Sequence, residues 1–343
     1  MSEMQETKQD KTSYQFILIG DTHYDTDPEI YHRDYNEPDQ RLNHIQRGEF
    51  ARNAEMWSTR APKLIKAASK QANEKTAFVM QIGDLIQGDC GNPEVHKKML
   101  LDTLKYFRKD FNSLPFLSVT GNHDVRGTNA KKTYENTMIP YLSKELKKEL
   151  KSLNFYFKHG PDLYLVLNFM DADISVMKEA FAKHANARYK FVFIHAPVLP
   201  ADDGNCRWFL FGHQEKQRHE VLDLFLKNDV IVFAGHTHTL EFTEYVSAKG
   251  RISQLIANSV WLKDDLKIPE ILCTNPDEYG QYQETKYHNP DGIQLLNEYK
   301  KFISRYYLAN AAGYFTIDIS DNGVNAFFFG GDAIKATQTF KIR

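Results

Sequence analysis

Short apolar runs recur along the chain: YQFILIG (14–20), TAFVMQIG (76–83), PFLSVTG (115–121), LYLVLNFM (163–170), YKFVFIH (189–195) and DVIVFAG (229–235). None alternates strictly between apolar and polar residues, so the pattern predicts strands covered on both faces. Between them, apolar residues at three- and four-residue spacing predict helices over about 47–74, 93–109, 174–186 and 213–227. Val221, Leu222, Phe225 and Leu226 show that spacing in the last of these. Strands alternating with helices predict an α/β core.

Beyond residue 239 the pattern changes. LEFTEYVSAKGRISQLIANSVWL reads as two strands joined around AKG, and GYFTIDISDNGVNAFFFGG as a second hairpin turning at DNG. Residues 264–300 are polar, weakly periodic and rich in Pro and Tyr, which predicts an insertion. No repeat, low-complexity tract or linker interrupts the pattern, so residues 14–343 are expected to form a single domain behind a polar, disordered tail at 1–13.

Composition narrows the function. With 343 residues and 42% hydrophobic content the chain can bury a large core, and its net charge of −2 gives no bulk attraction to nucleic acid or anionic lipid. No basic stripe with interleaved aromatics stands out, which argues against a nucleic-acid partner. The apolar runs fall well short of the roughly 20 residues a membrane-spanning helix needs. Cys90, Cys206 and Cys273 are scattered, so neither a disulfide framework nor a thiolate zinc site is expected. The first residues lack a signal peptide; a cytoplasmic address is the default expectation, and a processed extracytoplasmic form fits the same tail.

The candidate chemistry lies where the strands stop. They end in Gly20-Asp21-Thr22-His23, Gly83-Asp84, Gly121-Asn122-His123-Asp124, His195 and Gly235-His236-Thr237-His238. In α/β sheets, ligands bind beyond the carboxyl ends of strands, so these groups can converge. Carboxylate, imidazole and carboxamide donors without thiolate suit manganese, iron, zinc, cobalt or nickel. Asp21, His23, Asp84, Asn122, His195, His236 and His238 are too many ligands for one ion. Two divalent ions sharing a carboxylate would use them, and such pairs, about 3.5–4 Å apart, activate water for displacement at phosphorus.

This series of five blocks, in order and at strand-helix spacing, resembles the calcineurin-like metallophosphoesterases over roughly residues 14–262, with a C-terminal hairpin of the same type. The resemblance implies a two-sheet β-sandwich flanked by helices, a dinuclear site and phosphoester hydrolysis. It implies that Asp21, His23, Asp84 and His238 hold one ion, that Asp84, Asn122, His195 and His236 hold the other, and that Asp84 bridges. A hydroxide between the ions would attack phosphorus. His123 would stabilise the transition state or protonate the leaving oxygen, and Asp124 would orient His123.

One position departs from the pattern. The purple acid phosphatase branch places a tyrosine ligand three residues after the bridging aspartate; that position is Gln87 here, which argues against that branch. Many relatives carry Asp or Asn there to make a supporting hydrogen bond, so Asp89 is a candidate substitute. Substrate contacts are expected from the loops at 24–50, 124–137 and 197–212, with Tyr24, His32, Arg33, Arg126, Arg207 and Trp208 as candidates. Three other functions compete. A calcium loop starting at Asp21 fails because it needs Gly and Glu where Thr26 and His32 stand. A silent metal-binding scaffold would not need an acid, and the intact His123 and Asp124 argue against it. A nucleotide or cyclic-nucleotide phosphodiesterase keeps the chemistry and changes the substrate.

Overall fold

A computed structural model describes residues 12–208, 214–260, 267–281 and 286–343. Most of the polar tail, the first residue of the helix expected at 213–227, the end of the 240–262 hairpin and parts of 197–212 and 264–300 lie outside the described residues. The first half comprises β1 (Tyr14–Ile19), α1 (Pro28–Tyr31), α2 (Gln40–Thr59), α3 (Ala61–Ser69), β2 (Thr76–Gln81), α4 (Pro93–Asp110), β3 (Phe116–Ser118) and α5 (Ala130–Leu146). There follow β4 (Phe155–His159), β5 (Asp162–Val166), α6 (Ile174–Lys183), β6 (Lys190–Phe193), α7 (Glu215–Lys227) and β7 (Ile231–Ala234). The last part holds β8 (Leu240–Ser247), β9 (Gly250–Ile256), β10 (Glu270–Cys273), α8 (Pro290–Lys300), β11 (Ile303–Asn310), β12 (Gly313–Ser320), β13 (Gly323–Gly330) and β14 (Gln338–Lys341).

These strands form two sheets, β14-β13-β12-β1-β2-β3 and β10-β11-β8-β9-β7-β6-β5-β4. Strands β1, β2 and β3 run parallel, as do β5, β6, β7 and β9. Side-chain parity explains the unbroken apolar runs. Along β6, Phe191 and Phe193 face the core shared with the first sheet, whereas Val192 and the following Ile194 face a second core against α6 and α7. Phe16 of β1 meets the rings of Tyr164, Phe191, Phe193 and Phe233 edge-on across the sheet interface. The architecture is therefore an α/β two-sheet sandwich flanked by helices.

Four departures from the sequence reading have local causes. The helix expected over 47–74 is two helices: Asp39 caps α2 early, its carboxylate accepting from the amides of Arg41 and Leu42, and Pro62 sits in the first turn of α3. Pro140 lies inside α5, which hid that helix in a stretch expected to be a substrate loop. Strands β4, β11 and β14 carry too many polar residues to stand out. Within 264–300, β10 extends the second sheet beside β11, and α8 buries Leu295, Leu296 and Tyr299. Among the described residues no helix is long and apolar enough to cross a membrane.

A buried ion pair ties the sheets together. Asp162 of β5 is fully buried; it receives two bonds from Arg188 at 2.6 and 3.1 Å, one from the Tyr189 amide at 3.0 Å and one from the Tyr14 hydroxyl of β1 at 2.7 Å. Arg188→Met is expected to leave that carboxylate buried without its counter-ion and to lower unfolding stability by about 3 kcal/mol in urea titrations. An unchanged midpoint would contradict this role.

Glu241 of β8 gives the protein a pH dependence of its own. It is fully buried, accepts among the described residues from the Thr243 hydroxyl at 2.9 Å, and is pushed by burial up to about 8. The raised value means the folded state holds this proton more tightly than the unfolded chain. Its contribution is therefore most favourable below the usual glutamate value and is lost as pH rises through about 8. Glu241→Gln is expected to unfold at a higher temperature than the parent at pH 8, with the gap closing toward pH 5. A gap independent of pH would contradict this assignment.

Candidate metal centre

The five polar blocks meet beyond the carboxyl ends of β1, β2, β3, β6 and β7. Asp21, His23, Asp84 and His238 present ligand atoms within 4.8 Å of one another, as do Asp84, His195 and His236. Asp84 belongs to both groups. Its Oδ2 lies 3.1 Å from His195 Nε2 and 3.8 Å from His23 Nε2; Asp21 Oδ1 lies 3.8 Å from His195 Nε2 and 3.6 Å from His238 Nε2. The Asn122 carboxamide oxygen completes the second group, 3.2 Å from His195 Nε2 and 3.0 Å from His236 Nδ1.

The backbone is bent to allow this convergence. His23, Asp84, His236 and His238 have φ of 41°, 51°, 73° and 57°, a left-handed conformation that costs a non-glycine residue on the order of 1 kcal/mol. Two glycines make room for the carboxylates. A Cβ on Gly121 would stand 2.2 Å from Asp84 Oδ1, and one on Gly235 would stand 2.5 Å from Asp21 Oδ2. Main-chain amides then aim the carboxylates: His236 N donates to Asp21 at 3.0 Å, and His123 N to Asp84 Oδ1 at 2.8 Å.

Electrostatics make the cluster receptive to cations. Burial lowers the proton affinity of His23, His123 and His238, and brings His236 down to about 3. Burial also pushes Asp21 up to about 7, with Asp84 adding to the effect against the pull of His195. Asp84 goes the other way: against burial, the neighbouring imidazoles, His195 foremost, hold it well below the usual carboxylate range. His195 in turn resists burial through Asp84 and reaches about 9. The Ile82 carbonyl accepts from His195 Nδ1 at 2.8 Å, which turns Nε2 inward. Two crowded carboxylates, a carboxamide and a set of imidazoles of which His23, His236 and His238 resist protonation fit a divalent cation.

Residues 14–240 match the family model described as calcineurin-like phosphoesterase. The chain belongs to this family. Family membership and the Asp21, His23, Asp84 and His238 cluster together mark a divalent metal site. The chain is 25% identical over 191 residues to the serine/threonine-protein phosphatase CPPED1 of Homo sapiens, covering 50% of this chain and 56% of that relative's length. It also resembles the solved structure of PhoD, with TM-score 0.57 and 10% identity over 96% of this chain and 68% of the other. A dimetal phosphatase from Danio rerio gives TM-score 0.50 and 13% identity over 96% and 99%, and a purple acid phosphatase from yellow lupin gives 0.52 and 10% over 96% and 53%. At these identities the solved structures show a shared fold alone.

Against the family pattern, three side chains depart from expectation. Asp124 does not reach the His123 ring. The chain after Gly121 curls into a 3-10 turn, and the Asp124 carboxylate folds back to accept from the amides of Gly121 at 2.8 Å and Ile86 at 3.1 Å. His123 Nδ1 instead donates to the Gln87 carbonyl at 3.1 Å. Gln87 itself supplies the supporting bond that Asp89 was expected to replace: its Oε1 lies 3.1 Å from His23 Nδ1, while Asp89 pairs with Arg126 at 2.6 Å. Asp25, within the 24–50 loop expected to contact substrate, is instead fully buried and bonded to His32 Nε2 at 2.8 Å.

Most of the expected substrate contacts have structural partners. Tyr24 packs on Trp57, His32 stacks on Phe50, Arg207 lies buried over Phe169, and Trp208 is buried in the second core; only Arg33 is well exposed. Three residues of α2 near the site carried no signal in the sequence: Glu49 and Asn53 touch Gln87, and Trp57 Nε1 donates to the carbonyls of Thr22 at 2.8 Å and His23 at 3.1 Å. A helical reading gave no reason to separate them from a solvated or core face.

Proposed function

We propose that the protein hydrolyses a small phosphorylated substrate at a dinuclear metal centre, with Asp21, His23, Asp84 and His238 around one ion and Asp84, Asn122, His195 and His236 around the other. The observation that carries this reading is the shared position of Asp84, whose carboxylate lies within ligand distance of both groups. Two divalent ions there would supply Lewis acidity toward the phosphoryl oxygens and a water acidic enough to act at neutral pH.

The chain's own residues handle orientation and the proton. Because the Gln87 carbonyl can only accept, the His123 ring keeps its proton on Nδ1 and leaves Nε2 for exchange. Burial keeps this ring neutral at rest. The negative charge of a bound phosphate favours the second proton, which Nε2 then passes to the departing oxygen. The His123 amide also fixes Asp84, so one short turn positions both a ligand and an acid.

The name of the human relative, a serine/threonine-protein phosphatase, supports including phosphomonoesters of hydroxyl side chains among the substrates. A panel of p-nitrophenyl phosphate, its bis ester, a phosphoserine peptide and nucleoside phosphates tests the reading and separates monoesterase from diesterase. Metal-dependent release of phosphate or phosphomonoester is expected. Two bound ions with no turnover across the panel would favour a silent metal-binding scaffold.

A further inference from the structure

One residue holds two of the site's histidines, and a neighbour on α2 holds that residue. Gln87 accepts from His123 Nδ1 through its main-chain oxygen, and its side-chain Oε1 faces His23 Nδ1. Gln87 is fully buried. A carboxamide has a wrong way round, however: turned over, it would present an N–H to His23 Nδ1, and the ring proton would move to Nε2, the atom that faces Asp84 and His238. What sets the amide's direction therefore sets whether His23 can serve as a ligand.

Two side chains one turn apart on α2 do this. Asn53 Nδ2 donates to Gln87 Oε1 at 2.6 Å, and Glu49 Oε2 accepts from Gln87 Nε2 at 3.4 Å. Glu49 leans also toward Arg126, whose Nε pairs with Asp89. Asn53 gains little for itself from its location. It is fully buried, and its Oδ1 has no hydrogen-bond partner among the described residues. A buried amide left half satisfied lowers stability relative to an apolar residue of similar shape. The stability of the fold gives no reason for asparagine here, whereas the bond to Gln87 does.

We propose that Asn53, acting with Glu49, is a positioning residue: the Glu49 carboxylate can only accept and draws Gln87 Nε2 toward it, and Asn53 donates to the Oε1 left facing His23, which keeps the His23 proton on Nδ1 and Nε2 open for a metal ion. The inference rests on the reading of His23 as a metal ligand. It goes beyond that reading by assigning ligand competence to a helix residue outside the strand-end blocks.

The tautomer is measured directly, without substrate or ion, from the ring nitrogen shifts of 15N-histidine-labelled, metal-free protein, with His23 identified by loss of its signals in His23→Gln. In the parent, Nδ1 is expected to carry the proton. In Asn53→Leu, both tautomers become populated, manganese affinity at the His23 group falls by about tenfold, the scale usual for partners of a metal ligand, and the unfolding temperature stays level or rises. Asn53→Ala replaces the leucine variant if the larger side chain does not fit. Adding the exchange Glu49→Gln with Gln87→Glu to either variant is expected to restore the Nδ1 proton, because a carboxylate at 87 presents oxygen whichever way it turns and an amide at 49 can donate to it. An unchanged tautomer on loss of the Asn53 amide, or no rescue by the carboxylate, would overturn the proposal. A parent protein with the Nδ1 proton in place but no affinity for manganese would instead overturn the metal reading.

Discussion

Asp84→Asn is expected to abolish phosphoester turnover and to strip both ions, leaving less than one per chain after dialysis. The substitution keeps the shape of the side chain and an oxygen that can accept from the His123 amide at 2.8 Å. It removes the charge that lies 3.1 Å from His195 and 3.8 Å from His23. Because Asp84 stands in both ligand groups, its loss reaches two ions at once, whereas a change at His238 or His236 reaches one. Partners that only support a metal ligand already cost about 10- to 100-fold when removed, so loss of a shared ligand should exceed 100-fold. Elemental analysis and the hydrolysis rate on the same sample check this. Two retained ions would show that Asp84 does not bridge.

His123→Gln should separate chemistry from binding. The ring is not among the grouped ligand atoms, and its Nδ1 is committed to the Gln87 carbonyl. Both ions and KM are expected to persist while kcat falls by about 10²- to 10⁴-fold, the usual contribution of a positioned acid. The loss should be greater for an alkyl phosphate than for p-nitrophenyl phosphate, whose leaving group departs without a proton. An equal loss on both substrates would remove the proton-transfer role. Loss of metal would make His123 a ligand.

These effects trace back to residues the sequence marks unequally. The strand-end blocks were legible because each joins a buried apolar run to groups that have no place at a core edge unless something binds them. Tyr164 and Leu165 could likewise be read as core, since a strand with no polar face must be covered twice. The departures share another cause. In the sequence Asp124 reads as the partner of His123 and Asp25 as part of a loop, but backbone amides claim the first and His32 the second, and such local bonds depend on turns that spacing does not reveal. Asn53 and Glu49 face Gln87 only because α2 is docked beside the first strand's loop, a tertiary fact without a periodic signal. The same limit hid α5, where Pro140 argued locally against a helix that packing against α4 and β3 sustains.

The dinuclear reading is tested most directly by adding manganese stepwise to metal-stripped protein while following hydrolysis of p-nitrophenyl phosphate and its bis ester. The rate is expected to stay low through the first equivalent and to reach its plateau at two ions per chain. A plateau after one ion, or two bound ions with no hydrolysis of either ester, would contradict it.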